Sequence, residues 1–70
     1  MDRIPVSSSN VADIGYEPDT QVLEVGFLNG GVYQYFGVPP DVHEEFISAG
    51  SKGIFLNQRI KPFYAVTRVG

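Results

Sequence analysis

Two tyrosines two residues apart, Tyr33-Gln34-Tyr35, are the strongest chemical signal in this 70-residue chain. At that spacing on a strand both phenol rings leave one face, where aromatic rings can stack on bases at about 1–3 kcal/mol each. The same pair also suits a purely structural role, because tyrosines are common in strands and cover sheet glycines. A second candidate is Ser51-Lys52-Gly53 at an expected helix start. Free backbone N–H groups, a hydroxyl and an ammonium could together hold a phosphate or a small nucleotide. A serine cap followed by lysine explains the segment equally well without a ligand. Both readings stay open.

The charges add a third element. Residues 1–45 carry all eight acids and one base, Arg3, for a net −7. Residues 46–70 carry Lys52, Arg59, Lys61 and Arg68 with no acid, for +4, which gives the overall −3. Such asymmetry can create a local positive surface on an acidic protein, although few charges in a short chain also cluster by chance. Four cations are too few for broad binding to a duplex backbone. They suffice for local, salt-sensitive phosphate contact.

Catalysis finds little to work with. The single histidine, His43, has Pro39, Pro40, Phe46 and Ile47 on its helix face, none able to orient an imidazole or share a metal. Ser7, Ser8 and Ser9 lack the glycine elbow of an esterase nucleophile and suit a turn or edge. Asp41, Glu44 and Glu45 fit the first turn of a helix as partners of its dipole better than as a cation site. With no cysteine there is no disulfide, thiolate metal site or thiol chemistry. The expectation is a protein without enzymatic activity, cofactor or metal. No apolar run approaches the roughly 20 residues of a membrane span, and Met1-Asp2-Arg3 opens no signal peptide, so a cytoplasmic location is expected.

The elements that must position these residues follow from periodicity. Val11–Tyr16 reads as a short strand, stopped by Glu17-Pro18-Asp19-Thr20. Leu23, Val25 and Phe27 alternate with polar or small residues through Gln21–Leu28, a second strand. Asn29-Gly30 predicts a two-residue hairpin loop, and Val32–Phe36 is the returning strand. That loop pairs Phe27 with Val32, Gly26 with Tyr33, Glu24 with Tyr35 and Leu23 with Phe36. Tyr33 and Tyr35 then sit on the less buried face, Tyr33 covering Gly26, while Gln34 falls among the apolar residues. A different loop length reverses the faces. A helix is expected from Pro40 or Asp41 to Gly50, with Val42, Phe46 and Ala49 as its stripe. Ser51 caps a second helix running toward Arg59, and Phe63–Val66 is extended.

The predicted fold is therefore a single α+β domain over 1–70. It has a three-stranded antiparallel β-meander, two short helices packed on one face and a C-terminal extended segment. Its 7.7 kDa scale to roughly 4,300 Å² of folded surface, about 60% less than the extended chain, enough for one modest core. Ile14, Leu23, Val25, Phe27, Val32, Phe36, Val42, Phe46, Phe55 and Ile60 are expected to fill it.

The ordered set Pro5-Val6-Ser7-Ser8, Ile14-Gly15-Tyr16, Leu23-x-Val25-x-Phe27, Asn29-Gly30, Tyr33-x-Tyr35, Val38-Pro39, Ala49-x-Ser51-Lys52-Gly53, Asn57 and Ile60 resembles the KTSC domain. That module is named for its occurrence at the C-terminus of some lysyl-tRNA synthetases and also stands alone in prokaryotes and phages. The resemblance places the family's central tyrosine pair on Tyr33 and Tyr35, and its small-Ser-Lys-Gly segment on Ser51, Lys52 and Gly53. Glu17, His43 and Leu56 depart from the family pattern in ways that touch packing and turns. The attachment to a tRNA-charging enzyme implies RNA as a partner. Tyr33 and Tyr35 would stack on single-stranded or looped RNA, possible partners including tRNA, with Lys52, Arg59 and Lys61 on phosphate. The alternatives are a protein partner or self-association through an unpaired sheet edge, and a small nucleotide at the Ser51 helix start.

Overall fold

A computed structural model describes all residues, 1–70, and its exposed surface of 4111 Å² matches the size expected for this mass. Five antiparallel strands follow one another across the sheet in chain order: β1 Ile4–Pro5, β2 Val11–Glu17, β3 Val22–Phe27, β4 Val32–Phe36 and β5 Ala65–Arg68. Two strands thus join the expected three. The leading arm pairs Ile4 with Ile14 and Pro5 with Asp13, and the C-terminal extended segment pairs with β4. Both were too short or too weakly alternating to declare themselves without a neighbouring strand.

Between β4 and β5 come two helices. Helix α1, Pro40–Ser48, starts with proline in its first turn, where the missing N–H costs nothing. Helix α2, Lys52–Phe55, is capped by Ser51, whose Oγ accepts from the Ile54 N–H at 3.2 Å. It runs straight into a π-helical turn, Leu56–Ile60, closed by the Lys61 N–H on the Leu56 carbonyl at 2.8 Å. The wide turn keeps Leu56 and Ile60 both buried and sends Lys61 outward.

The hairpin register differs from the expected one by a single residue. Gly26 pairs with Val32, Val25 with Tyr33, Glu24 with Gln34, Leu23 with Tyr35 and Val22 with Phe36. The loop has three residues, Leu28-Asn29-Gly30. The Gly30 N–H closes a turn on the Phe27 carbonyl (2.9 Å) and the Phe27 N–H reaches Gly31 O (2.8 Å). Within this loop only Gly30 takes positive φ, at 98°, whereas the expected turn needed it at Asn29 as well. Asn29 instead accepts the Gly31 N–H on its side-chain oxygen at 3.0 Å.

That slip reverses the faces. Tyr35 enters the core at 2% exposed, and Phe36, predicted inside, lies 39% exposed on the open side. Val32 is likewise turned to the open face, half-buried. Gln34 explains the preference: in the expected register its amide would be buried among apolar side chains, at a cost of a few kcal/mol without a partner. In the observed register it donates to Glu24 on the open face at 2.8 Å. A bulge at Ala12, between the Val11–Phe27 and Asp13–Gly26 pairs, similarly rotates Val11 into the core.

The core comprises Val11, Ile14, Leu23, Val25, Tyr35, Val38, Phe46, Leu56 and Ile60, with Phe27, Val42 and Phe55 half-buried against it. On the open face the N-terminal arm crosses Gly15 and Gly26. A Cβ at Gly15 would meet the Asp2 carbonyl at 2.7 Å, and one at Gly26 would collide with the Asp13 carboxylate. Gly26 is therefore covered by Asp13 and Arg3, not by Tyr33 as expected.

Candidate groove at the hairpin end

A groove of about 670 Å³ opens on the helix side of the sheet, at the tip of the β3–β4 hairpin. Its walls are Ser9-Asn10 and Leu28-Asn29, joined by the Leu28 N–H on the Asn10 carbonyl at 2.9 Å. Phe27, Tyr33 and Tyr35 form its aromatic base, and Lys61 and Val66 close the far side. No acidic side chain lines it.

Within that base the two sequence-selected tyrosines separate. They share a face, as residues i and i+2 of a strand must. Tyr33 is half-buried, edge-on to Phe27 at 5.6 Å between ring centres and 82° between planes. Tyr35 is enclosed. Burial, with a smaller contribution from Tyr33, pushes its phenol pKa up, so it stays a neutral hydroxyl at the groove floor. Stacking by Tyr35 is thus ruled out by its packing, and Tyr33 keeps the only partly exposed ring of the pair.

The four C-terminal cations separate as well. Lys61 lies in the groove, its ammonium 5.9 Å from the Phe27 ring centre. Arg68 is not part of the groove lining but lies against Tyr33, its guanidinium 5.7 Å from that ring centre and its Nε donating to the Gly70 main-chain oxygen at 2.8 Å. Neither pairs with an aspartate or glutamate side chain. Lys52 and Arg59 are occupied elsewhere. Lys52 Nζ donates to the Ala49 carbonyl at 2.6 Å, just beyond the end of α1. Arg59 pairs with Glu45 at 2.8 Å and lies over Phe55.

Ser51-Lys52-Gly53 likewise serves the fold. Ser51 caps α2, and Gly53 lets the Asn10 amide approach so closely that a Cβ there would meet Asn10 Oδ1 at 2.7 Å. The segment holds a groove wall, with the Ser51 hydroxyl oxygen and the Lys52 ammonium both engaged within the chain. Ser9, Asn10, Phe27 and Asn29 were missed as site residues. Nothing in a linear reading links Ser9-Asn10 to Leu28-Asn29, which meet only through sheet pairing. Arg68 was counted among the cations but not singled out, because its place beside Tyr33 depends on β5 pairing with β4.

At the other end of the sheet, His43 stacks on Tyr16 with centroids 4.3 Å apart and planes 9° from parallel. Tyr16 donates its hydroxyl to the Val38 carbonyl at 2.6 Å. Burial lowers the His43 pKa, with Glu44 pulling weakly the other way. Asp41, Glu44 and Glu45 do not converge on a cation-binding cluster.

Residues 7–64 match the family model described as KTSC domain. A solved KTSC domain protein from Yersinia pestis superposes with a TM-score of 0.94 at 46% identity, covering 99% of this chain and 97% of that one. An uncharacterized protein from Stutzerimonas stutzeri is 42% identical over 62 residues, covering 89% of this chain and 87% of its own. A lysine–tRNA ligase from Nostoc punctiforme is 45% identical over 53 residues, 76% of this chain but 9% of the ligase.

Proposed function

The chain belongs to the KTSC domain family, and from that membership we propose a non-catalytic module that holds single-stranded or looped RNA in the hairpin-end groove. The observation that carries the reading is the meeting of Tyr33 and Lys61 in one acid-free groove, with Arg68 against the Tyr33 ring, on an otherwise acidic protein. A partly exposed aromatic ring beside cations that no acidic side chain neutralises is the combination by which sheet-based modules hold unpaired nucleotides. Tyr33 would stack, and Lys61 with Arg68 would take phosphate. The relation to a ligase that acts on tRNA supports the choice of RNA over other polyanions. At about 670 Å³ the groove has room for one or two nucleotides, fewer than an extended-strand binder engages.

Fluorescence anisotropy with tRNA and short single strands at about 50 and 150 mM salt tests the proposal. Binding that weakens with salt and with Tyr33→Ala is the expected result. Failure to bind any RNA at the lower salt overturns it.

A second reading draws on β5, all four residues of which are exposed while its outer edge carries no strand. Such an edge supports self-association or capture of a partner strand. Light scattering across protein concentrations separates this from a monomeric RNA binder.

A further inference from the structure

The two edges of the sheet are not equivalent. In an antiparallel ladder every second residue turns its N–H and C=O to the same neighbour. The Phe27 N–H on Gly31 O sets that alternation between β3 and β4, so the main-chain groups of Tyr33 and Tyr35 face β3 and those of Gln34 and Phe36 face β5. Thr67 and Ala65 answer them, in phase with the Val69 N–H on the Val32 carbonyl at 2.8 Å. The N–H and C=O of Val66 and Arg68 therefore point away from the sheet along the β5 edge. At the opposite edge the Val6 N–H bonds the Ala12 carbonyl at 3.1 Å, and the same alternation turns Pro5 outward. Proline has no N–H to give, so that edge is blunted and β5 is the one able to accept a full strand.

We propose that β5 pairs antiparallel with β5 of a second copy of this chain, about a two-fold axis at Thr67, joining the two sheets into one. This rests on the edge reading above and commits it to one partner and one register. With Thr67 across from Thr67, Val66 and Arg68 exchange hydrogen bonds with Arg68 and Val66 of the second copy, and Ala65 meets Val69. An axis at Arg68 would set two guanidinium groups opposite each other. An axis at Val66 would need Tyr64 to donate outward, and its N–H is spent on the Ile60 carbonyl at 3.2 Å. Pairing with β1 of another copy, which would extend into a filament, meets Pro5. Val66 and Arg68 share the helix-covered face with Tyr35 and Tyr33, so the second copy's Arg68 comes beside Val66 at the groove wall. Each groove thereby gains a cation from the other copy. A strand pair of this length buries less than the roughly 1,600 Å² of a standard interface, so the dimer forms at micromolar concentration or above.

Sedimentation equilibrium of the wild-type protein from about 10 µM to about 1 mM should show monomer passing into dimer. Val66→Pro removes an outward N–H without touching the β4 ladder, and should give a monomer that melting curves show to be folded. The chain has no cysteine, so Thr67→Cys gives one thiol per copy. A non-hydrogen-bonded pair brings Cα atoms to about 4.5 Å, within disulfide reach, and mild oxidation should cross-link most of the protein. Val66→Cys, displaced by two residues from its counterpart, should stay uncross-linked. A wild-type protein that is monomeric throughout overturns the proposal and self-association with it. A dimer that persists in folded Val66→Pro overturns pairing through β5. Cross-linking through Val66→Cys in place of Thr67→Cys overturns the register and leaves edge association standing. If Val66→Pro does not fold, the two cysteine variants decide pairing and register by themselves. The RNA reading is decided separately, by its own titration.

Discussion

Tyr35 lies directly across from Leu23 on the helix-covered face of the sheet, and both are buried. The pair anchors β4 to β3 beneath the groove, so the tyrosine most exposed to scrutiny as a ligand contact is a core residue. Tyr35→Ala should cost about 3–5 kcal/mol, close to the whole stability of a domain this size, on the order of 4–10 kcal/mol. Tyr35→Phe should cost less than about 1.5 kcal/mol, because only the hydroxyl at the groove floor is lost. Tyr33→Ala should reduce RNA affinity with the milder penalty of a half-buried site. Urea denaturation of the three variants checks the order. Equal stability of Tyr35→Ala and Tyr33→Ala would contradict the register.

Lys61→Gln and Arg68→Gln should each weaken RNA binding and flatten its salt dependence by about 0.7 in log–log slope, one phosphate contact on a single strand. Lys52→Gln and Arg59→Gln should leave that slope unchanged, since Lys52 holds Ala49 and Arg59 holds Glu45. Titrations at several salt concentrations measure all four slopes.

On the open face Arg3 bridges Asp13, at 2.8 Å, and Glu24, which is 7% exposed and also receives Gln34. The Gln34 hydrogen bond, then Arg3, hold the Glu24 pKa below its usual 4.5 against the opposing effect of burial. A lowered folded-state pKa contributes stability that is fully present above about 4.5 and is lost as pH falls through the folded value. Glu24→Gln should therefore flatten the acid limb of the stability curve. Gly26→Ala should break the same network, driving a methyl into the Asp13 carboxylate, at about 1–3 kcal/mol. Denaturant midpoints between about pH 3 and 6 test both.

His43 against Tyr16 gives a second titration, in a higher window. Its pKa is lowered from 6.5 chiefly by burial, so its contribution is present above 6.5 and falls as pH drops toward the folded value. His43→Phe keeps a ring on Tyr16 and should remove that dependence between about pH 5 and 7. Tyr16→Phe deprives the Val38 carbonyl of its 2.6 Å partner and should cost about 1–2 kcal/mol at any neutral pH. Denaturation at two pH values separates the effects.

Much of the fold was legible because it is written locally. Alternation in Val22–Phe27 and Val32–Phe36, proline at the start of α1 and the Ser51 cap each act within a few residues, and each stands where expected. Ile14, Leu23, Val25, Phe46 and Ile60 were recognisable as core because strand and helix periods placed them on one face. The edge strands were not. Ile4–Pro5 and Ala65–Arg68 acquire their conformation from the strands they join, and nothing in either segment announces a partner.

Sequence alone determined the residue types at work: a tyrosine pair, an acid-free C-terminal third and a hairpin centred on Asn29-Gly30. Tertiary structure decided which of them face solvent together. The choice between a loop of three residues and one of two rests on distant side chains, on whether Gln34 finds Glu24, itself held by Arg3, or is stranded in the core. Because strand side chains alternate with a period of two, that single-residue choice buried Tyr35, turned Phe36 outward and set Tyr33 in the groove with Lys61, Arg68 lying against its ring.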